Sequence, residues 1–149
     1  MLPRVLTGVA LVAILSPALA QRNLDFRAVG DAPAILFDAP TLRGKKLFVA
    51  PRGMPFEVVV SIEGWLKVRD RTGDMAWIER RAASDRRTVV SIATAQIRER
   101  ADDSASVVFE VAADVVLELA DTAVSGGWVR VRHRDGAVGY VRTAQVWGT

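Results

Sequence analysis

The sequence predicts an all-β protein made of two small antiparallel barrels in tandem. Three observations carry that expectation. Gly64-Trp65-Leu66-Lys67-Val68-Arg69-Asp70-Arg71-Thr72-Gly73, followed by Asp74-Met75-Ala76-Trp77-Ile78, returns 63 positions later as Gly127-Trp128-Val129-Arg130-Val131-Arg132-His133-Arg134-Asp135-Gly136, followed by Ala137-Val138-Gly139-Tyr140-Val141. Within each copy the apolar residues alternate with polar ones in short runs separated by turn residues, the period of a strand with one buried face. Beyond residue 20, no window longer than ten residues carries a capped helical pattern.

Residues 1–20 read as an address. Met1-Leu2-Pro3-Arg4 supplies a positive start, and Val5 to Leu15 is an uncharged, mostly aliphatic run of eleven residues. A helix that spans a bilayer needs about 20 apolar residues, so this run is too short. Ser16-Pro17 then breaks the helix, and Ala18-Leu19-Ala20 offers the small-x-small pattern of a cleavage site. A signal peptide is expected, cut before Gln21, giving a periplasmic or secreted product with no membrane span after cleavage. No cysteine follows the apolar run, so no lipid anchor is expected. Removal of Arg4 leaves 19 basic against 17 acidic residues, a net charge of +2.

Composition narrows the chemistry. Half of the 149 residues are apolar, 25% are charged, and mean hydropathy is +0.20, which describes a packed protein and not a disordered polyelectrolyte. With no cysteine, the chain has no disulfide, no thiolate zinc site and no thiol nucleophile; with one histidine, it has no multi-histidine metal cluster. Small exported domains often depend on disulfides. This one must hold itself together with a well-patterned apolar core.

The repeat gives the elements in order. Over its fifteen positions, six residues are identical. Upstream, a weaker match at an offset of 61 pairs Leu36 with Ile97 and Phe56-Glu57 with Leu117-Glu118, so the second copy carries a loop two residues longer. Phe56 to Ser61 and Val115 to Leu119 are rich in β-branched and aromatic residues and read as strands. Trp65 to Arg69 and Trp128 to Arg132 alternate, as do Met75 to Ile78 and Val138 to Val141, and each pair of runs is joined by a hairpin turn at Arg71-Thr72-Gly73 or Arg134-Asp135-Gly136. Ala82 to Asp85 has room for one turn of helix. The expected barrels are residues 27–83 and 87–149. Between them Glu79-Arg80-Arg81-Ala82-Ala83-Ser84-Asp85-Arg86-Arg87 reads as a solvated connector and not a nucleic-acid patch. Residues 27–83 hold ten basic and seven acidic groups, while 86–149 hold eight of each.

These pieces resemble the bacterial SH3-like domain. The matching residues are Ala34-Ile35-Leu36-Phe37-Asp38-Ala39-Pro40, Gly64-Trp65-Leu66-Lys67-Val68 and Ala76-Trp77-Ile78 in the first copy. In the second they are Ala95-Gln96-Ile97-Arg98-Glu99-Arg100-Ala101, which lacks the proline, Gly127-Trp128-Val129-Arg130-Val131 and Gly139-Tyr140-Val141. The resemblance implies two tandem small SH3-like β-barrels acting as an exported, non-enzymatic binding module for wall peptides, peptidoglycan or another protein. Eukaryotic relatives grip proline-rich helices with a proline and a tyrosine just after the last main strand. Glu79 and Ala82 stand there in the first copy, and Arg142 and Gln145 in the second, so proline-rich recognition is not expected.

Strand parity selects the candidate site. Leu66 and Val68 share one face of their strand and must be core, which puts Trp65, Lys67 and Arg69 on the other; Val129 and Val131 likewise oppose Trp128, Arg130 and Arg132. An indole beside a guanidinium suits a carboxylate-bearing peptide or an acidic glycan, because the ring stacks and the cation pairs. These six residues are the expected binding residues. The alternative is a structural role in which both tryptophans are buried between the barrels or in a homo-oligomer. Trp77 and Tyr140 are expected to seal barrel edges, and His133 to stand exposed beside a turn. Asp102-Asp103 reads as a solvated turn. No catalytic set, metal site, phosphate loop or cofactor is expected, nor a nucleic-acid partner, and the oligomeric state is left open.

Overall fold

The computed structural model describes residues 24–149. The expected signal peptide lies outside the described residues. The described residues form fourteen short strands and two single 3-10 turns, arranged as two antiparallel sheets of seven strands each. The first sheet contains β1 (Asp25–Val29), β2 (Ala34–Phe37), β3 (Lys46–Ala50), β4 (Pro55–Ile62), β5 (Trp65–Arg69), β6 (Met75–Glu79) and β7 (Ala83–Ser84), in the order β3-β2-β6-β5-β4-β1-β7. The second contains β8 (Thr88–Ser91), β9 (Ala95–Arg98), β10 (Val107–Val111), β11 (Val116–Leu119), β12 (Trp128–Arg132), β13 (Val138–Arg142) and β14 (Val146–Trp147), in the same relative order.

One apolar cluster serves each sheet. In the first it takes Val29, Leu36, Ala50, Phe56, Leu66 and Ile78, which come from β1 through β6, with Ala83 of β7 packed against it. In the second, Val89, Ile97, Val111, Leu117, Val131 and Val141 come from β8 through β13, and Val146 completes the set from β14. A sheet whose seven strands all reach one small cluster must curl around it, which is the expected barrel. The central hairpins follow the anticipated alternation: Leu66 and Val68 are buried between half-buried neighbours, and β5 pairs with β6 from Trp65↔Glu79 to Arg69↔Met75. Gly73 and Gly136 close these hairpins at φ of 93° and 94°, a conformation L side chains resist. In the first turn Asp70 Oδ1 accepts from the backbone N–H of Thr72 (2.8 Å) and Asp74 (3.0 Å). In the second, Asp135 accepts from the Ala137 N–H at 2.9 Å.

The connector differs from the expectation of a solvated run. Its 3-10 turn covers Arg80–Ala82 instead of Ala82 to Asp85, and Ala83–Ser84 pairs with β1. A matching turn, Thr143–Gln145, precedes β14. Several of its arginines are built into the fold. Arg80 donates to Ser61 Oγ at 2.6 Å and Ile62 O at 2.7 Å, while Arg87 lies 5.7 Å from the Phe26 ring centroid and donates to Gly148 O at 3.0 Å.

Arg87 belongs to a contact between the two barrels. All four residues of β8 are buried, although a strand with one solvated face would bury only two. Val89 enters its own core; Val90 faces an apolar cleft shared with Phe48, Met54, Pro55 and Trp147. The Phe26 and Trp147 rings meet edge to face at 5.1 Å, and the Thr88 hydroxyl donates to Gly53 O at 2.7 Å. Arg71, in the first barrel's hairpin turn, pairs with Asp114 in the second. The first barrel thus covers the outer face of β8.

Candidate functional site

Trp65 begins β5, immediately after the Glu63-Gly64 turn, and its outward face is decided by what surrounds the strand end. It is half-buried, resting edge-on against Phe37 with ring centroids 5.5 Å apart at 86°. The remaining indole surface lines an open depression with Leu42, Arg43, Glu79, Arg80 and Arg81. Leu42 is 62% exposed, so an apolar group stands free beside the ring. Glu79 is the cross-strand partner of Trp65 and accepts from Arg81 Nε at 2.8 Å. The depression therefore offers an aromatic surface, an aliphatic contact and three guanidiniums around one carboxylate, which suits an anionic ligand with an apolar portion.

Trp128 occupies the same place in the second barrel, with the opposite outcome. The residue is only 6% exposed. The cross-strand partner is Arg142, whose guanidinium lies 4.5 Å from the Trp128 ring centroid. Asp103 holds that guanidinium in place through two contacts, Nε–Oδ1 at 3.2 Å and Nη2–Oδ2. Asp102, next to it, accepts from the N–H and hydroxyl of Ser104, each at 2.9 Å, and so fixes the turn that presents Asp103. By the offset of the repeat, Asp103 stands where the first barrel has Leu42.

The expected cations do not all gather at the tryptophans. Lys67 Nζ sits 5.9 Å from the Trp77 ring centroid, and Arg69 Nε pairs with Glu57 at 3.0 Å. Arg130 is exposed and shares a depression with Trp128 and Tyr140, whereas Arg132 is exposed farther along β12. The cations that line the depression beside Trp65 are Arg43, Arg80 and Arg81, and the one on Trp128 is Arg142. Side chains two apart on a strand point the same way but stand too far apart to stack, so cross-strand and loop residues win. Counting the hairpin register outward from Gly73 and Gly136 would have found Glu79 and Arg142. The loop residues Leu42 and Asp103 left no such signal.

The alternative that places both tryptophans between the barrels is overturned. The hollows beside Trp65 and Trp128 are made of residues from their own barrels, and the indole at the inter-barrel contact is Trp147. Trp147 pairs across from Val90, next to the covered face of β8, which brings its ring to Phe26. His133 also departs from expectation: it is half-buried, 5.7 Å from the Phe109 ring centroid, with Nδ1 3.1 Å from Asp135.

Electrostatics of the covered site gives a pH prediction. The hydrogen bond from Arg142 holds the Asp103 carboxyl below its ordinary range. A carboxylate with a depressed folded-state value supports the arrangement above its unfolded value and loses that support as the pH falls through the folded one. Since ordinary aspartate titrates near 3.9, the Arg142 cover over Trp128 should persist down to about that pH and loosen only below it. Acrylamide quenching of the Trp128 indole between pH 7 and pH 2 tests this. Quenching that rises already between pH 7 and pH 5 contradicts it.

Two barrels filled by their own side chains each carry an indole at the head of the central hairpin, open at Trp65 and covered at Trp128. The chain has no cysteine, and among the described residues no group of His, Asp and Glu is arranged to hold a metal ion. The family model described as bacterial SH3 domain matches residues 30–85 and 92–148, and the chain belongs to that family. It carries this SH3-like domain in tandem. No curated protein matches it. Among solved structures, it is similar to NlpC1 from Trichomonas vaginalis, at 15% identity and a TM-score of 0.40 over 95% of this chain and 52% of the other. It is also similar to NlpC2 from the same organism, at 14% identity and a TM-score of 0.39 over 85% of this chain and 48% of the other. The chain spans about half the length of these structures. No helix among the described residues is long and apolar enough to cross a membrane.

Proposed function

We propose that this chain is exported and binds cell-envelope peptide, the peptide portion of peptidoglycan included, through the surfaces around Trp65 and Trp128. The observation that carries the reading is the open depression in which half-buried Trp65 lies beside exposed Leu42 and the guanidiniums of Arg43, Arg80 and Arg81. An apolar residue left in water next to an aromatic face and fixed cations is a recognition surface for a ligand with a carboxylate and an aliphatic portion. Lys67, Arg69, Arg130 and Arg132 lie on the outward faces of the same strands and add positive charge that steers an anionic partner toward them. Export is supported by the pattern of residues 1–20.

The test is retention on purified sacculi. The unaltered chain should sediment with them, and Trp65→Ala together with Trp128→Ala should lower retention at least tenfold, with Trp65→Ala alone giving most of the loss because its ring is the open one. Equal retention of the double variant and the unaltered chain, or none for either, would sink the reading.

A further inference from the structure

The second barrel already has a carboxylate in its own ligand surface. Asp103 lays both oxygens against the Arg142 guanidinium, which is itself stacked on Trp128. The first barrel has neither part of this device, since Leu42 and Glu79 stand at the matching positions. The hollow at this place is polar, with Gln96, Arg98, Glu110 and Gln145 around Asp103 and Arg142. Arg98 is fixed by donating to Ala105 O at 2.7 Å and to Gln96 Oε1 at 2.8 Å, so a second guanidinium stands near the same carboxylate.

We infer that Asp103 stands in for a ligand: the second barrel binds a carboxylate-bearing peptide by exchanging the Asp103 carboxylate on Arg142 for that of the peptide, whose remainder then lies in the hollow beside the covered Trp128. The inference rests on the reading of the Trp128 face as a ligand surface. Three physical points support the exchange. The guanidinium fork accepts one planar carboxylate in the geometry that Asp103 uses, so an incoming carboxylate finds its donors already placed. Asp103 and Arg142 are both partly exposed, and an ion pair of that kind adds little to stability, so opening it is cheap. A tethered competitor acts at a high effective concentration, so the closed barrel answers only to a ligand that makes further contacts. Glu110, on the rim, selects against a ligand with a second negative group at that side.

The experiment uses the whole chain and two probes, N-acetyl-D-alanyl-D-alanine and its C-terminal amide, followed through the indole N–H resonances of Trp128 and Trp147. Asp103→Asn should tighten binding of the free acid about three- to fivefold, shift Trp128 and not Trp147, and leave the amide unchanged. Adding Arg142→Gln should cancel the gain. Equal affinity of the unaltered chain and Asp103→Asn for the acid overturns the inference, as does an equal gain for the amide. Loss of the dispersed spectrum in Asp103→Asn would make Asp103 a folding residue and overturn it as well. Sacculus retention that ignores Trp65 and Trp128 sinks the broader reading; tryptophan-dependent retention without the Asp103→Asn gain sinks the exchange alone.

Discussion

Leu66→Ala is expected to lower the stability of the first barrel by about 2–5 kcal/mol, the range for deleting a fully buried leucine side chain. Leu66 has no exposed surface and sits in the cluster that all seven strands of its sheet share. The other large members, Leu36, Phe56 and Ile78, are held in strands fixed by their own ladders, so only a partial collapse into the gap is expected. A domain this small has roughly 5 kcal/mol or a little more in reserve, so the loss takes a large share of it and should lower the urea midpoint markedly. Urea denaturation followed by tryptophan fluorescence gives the measurement. The second barrel should be affected too, by a smaller amount, since Thr88 and Val90 lose the cover that Gly53 and Pro55 supply. A loss below 1 kcal/mol would mean that the core repacks, contrary to the arrangement described.

Gly139→Ala should cost about 1–3 kcal/mol by overpacking, although the corresponding first-barrel residue is already alanine, Ala76. An added Cβ at Gly139 would lie 2.6 Å from Ile97 Cγ2 and 2.7 Å from Arg98 O, and the carbonyl is backbone that cannot swing aside. In the first barrel, Leu36 takes the place of Ile97 and has no branch at Cβ, which leaves room for the Ala76 methyl. The double variant Gly139→Ala with Ile97→Leu, which copies the first barrel's pair, is expected to recover part of the loss through a coupling of about 0.5–1.5 kcal/mol. Strict additivity of the two changes in urea midpoints would show that the two side chains do not compete for space.

Much of the fold was legible because the central hairpins obey strict alternation. Leu66, Val68, Val129 and Val131 fell on the buried face, and the Gly73 and Gly136 turns closed where positive φ was required. The first strand of each sheet was not read from the chain. In Thr88–Ser91 all four residues are buried, so no alternation marks it, and the reason lies in the other barrel. Phe26 and Trp147 carried no sign of their meeting, since each belongs to a short terminal strand whose outer face is covered only when the barrels dock.

The sequence by itself determined two tandem barrels, their central strands and the outward face that carries Trp65 and Trp128, because those follow from local period and from a repeat that states each feature twice. Tertiary structure decided which tryptophan is open. Leu42 and Glu79 leave Trp65 half in water, while Asp103 and Arg142 shut Trp128 away. The two copies look alike along the strand and differ in residues brought in from a loop and from across the hairpin. A side chain's exposure depends on neighbours in space, and pairing along one strand does not report them.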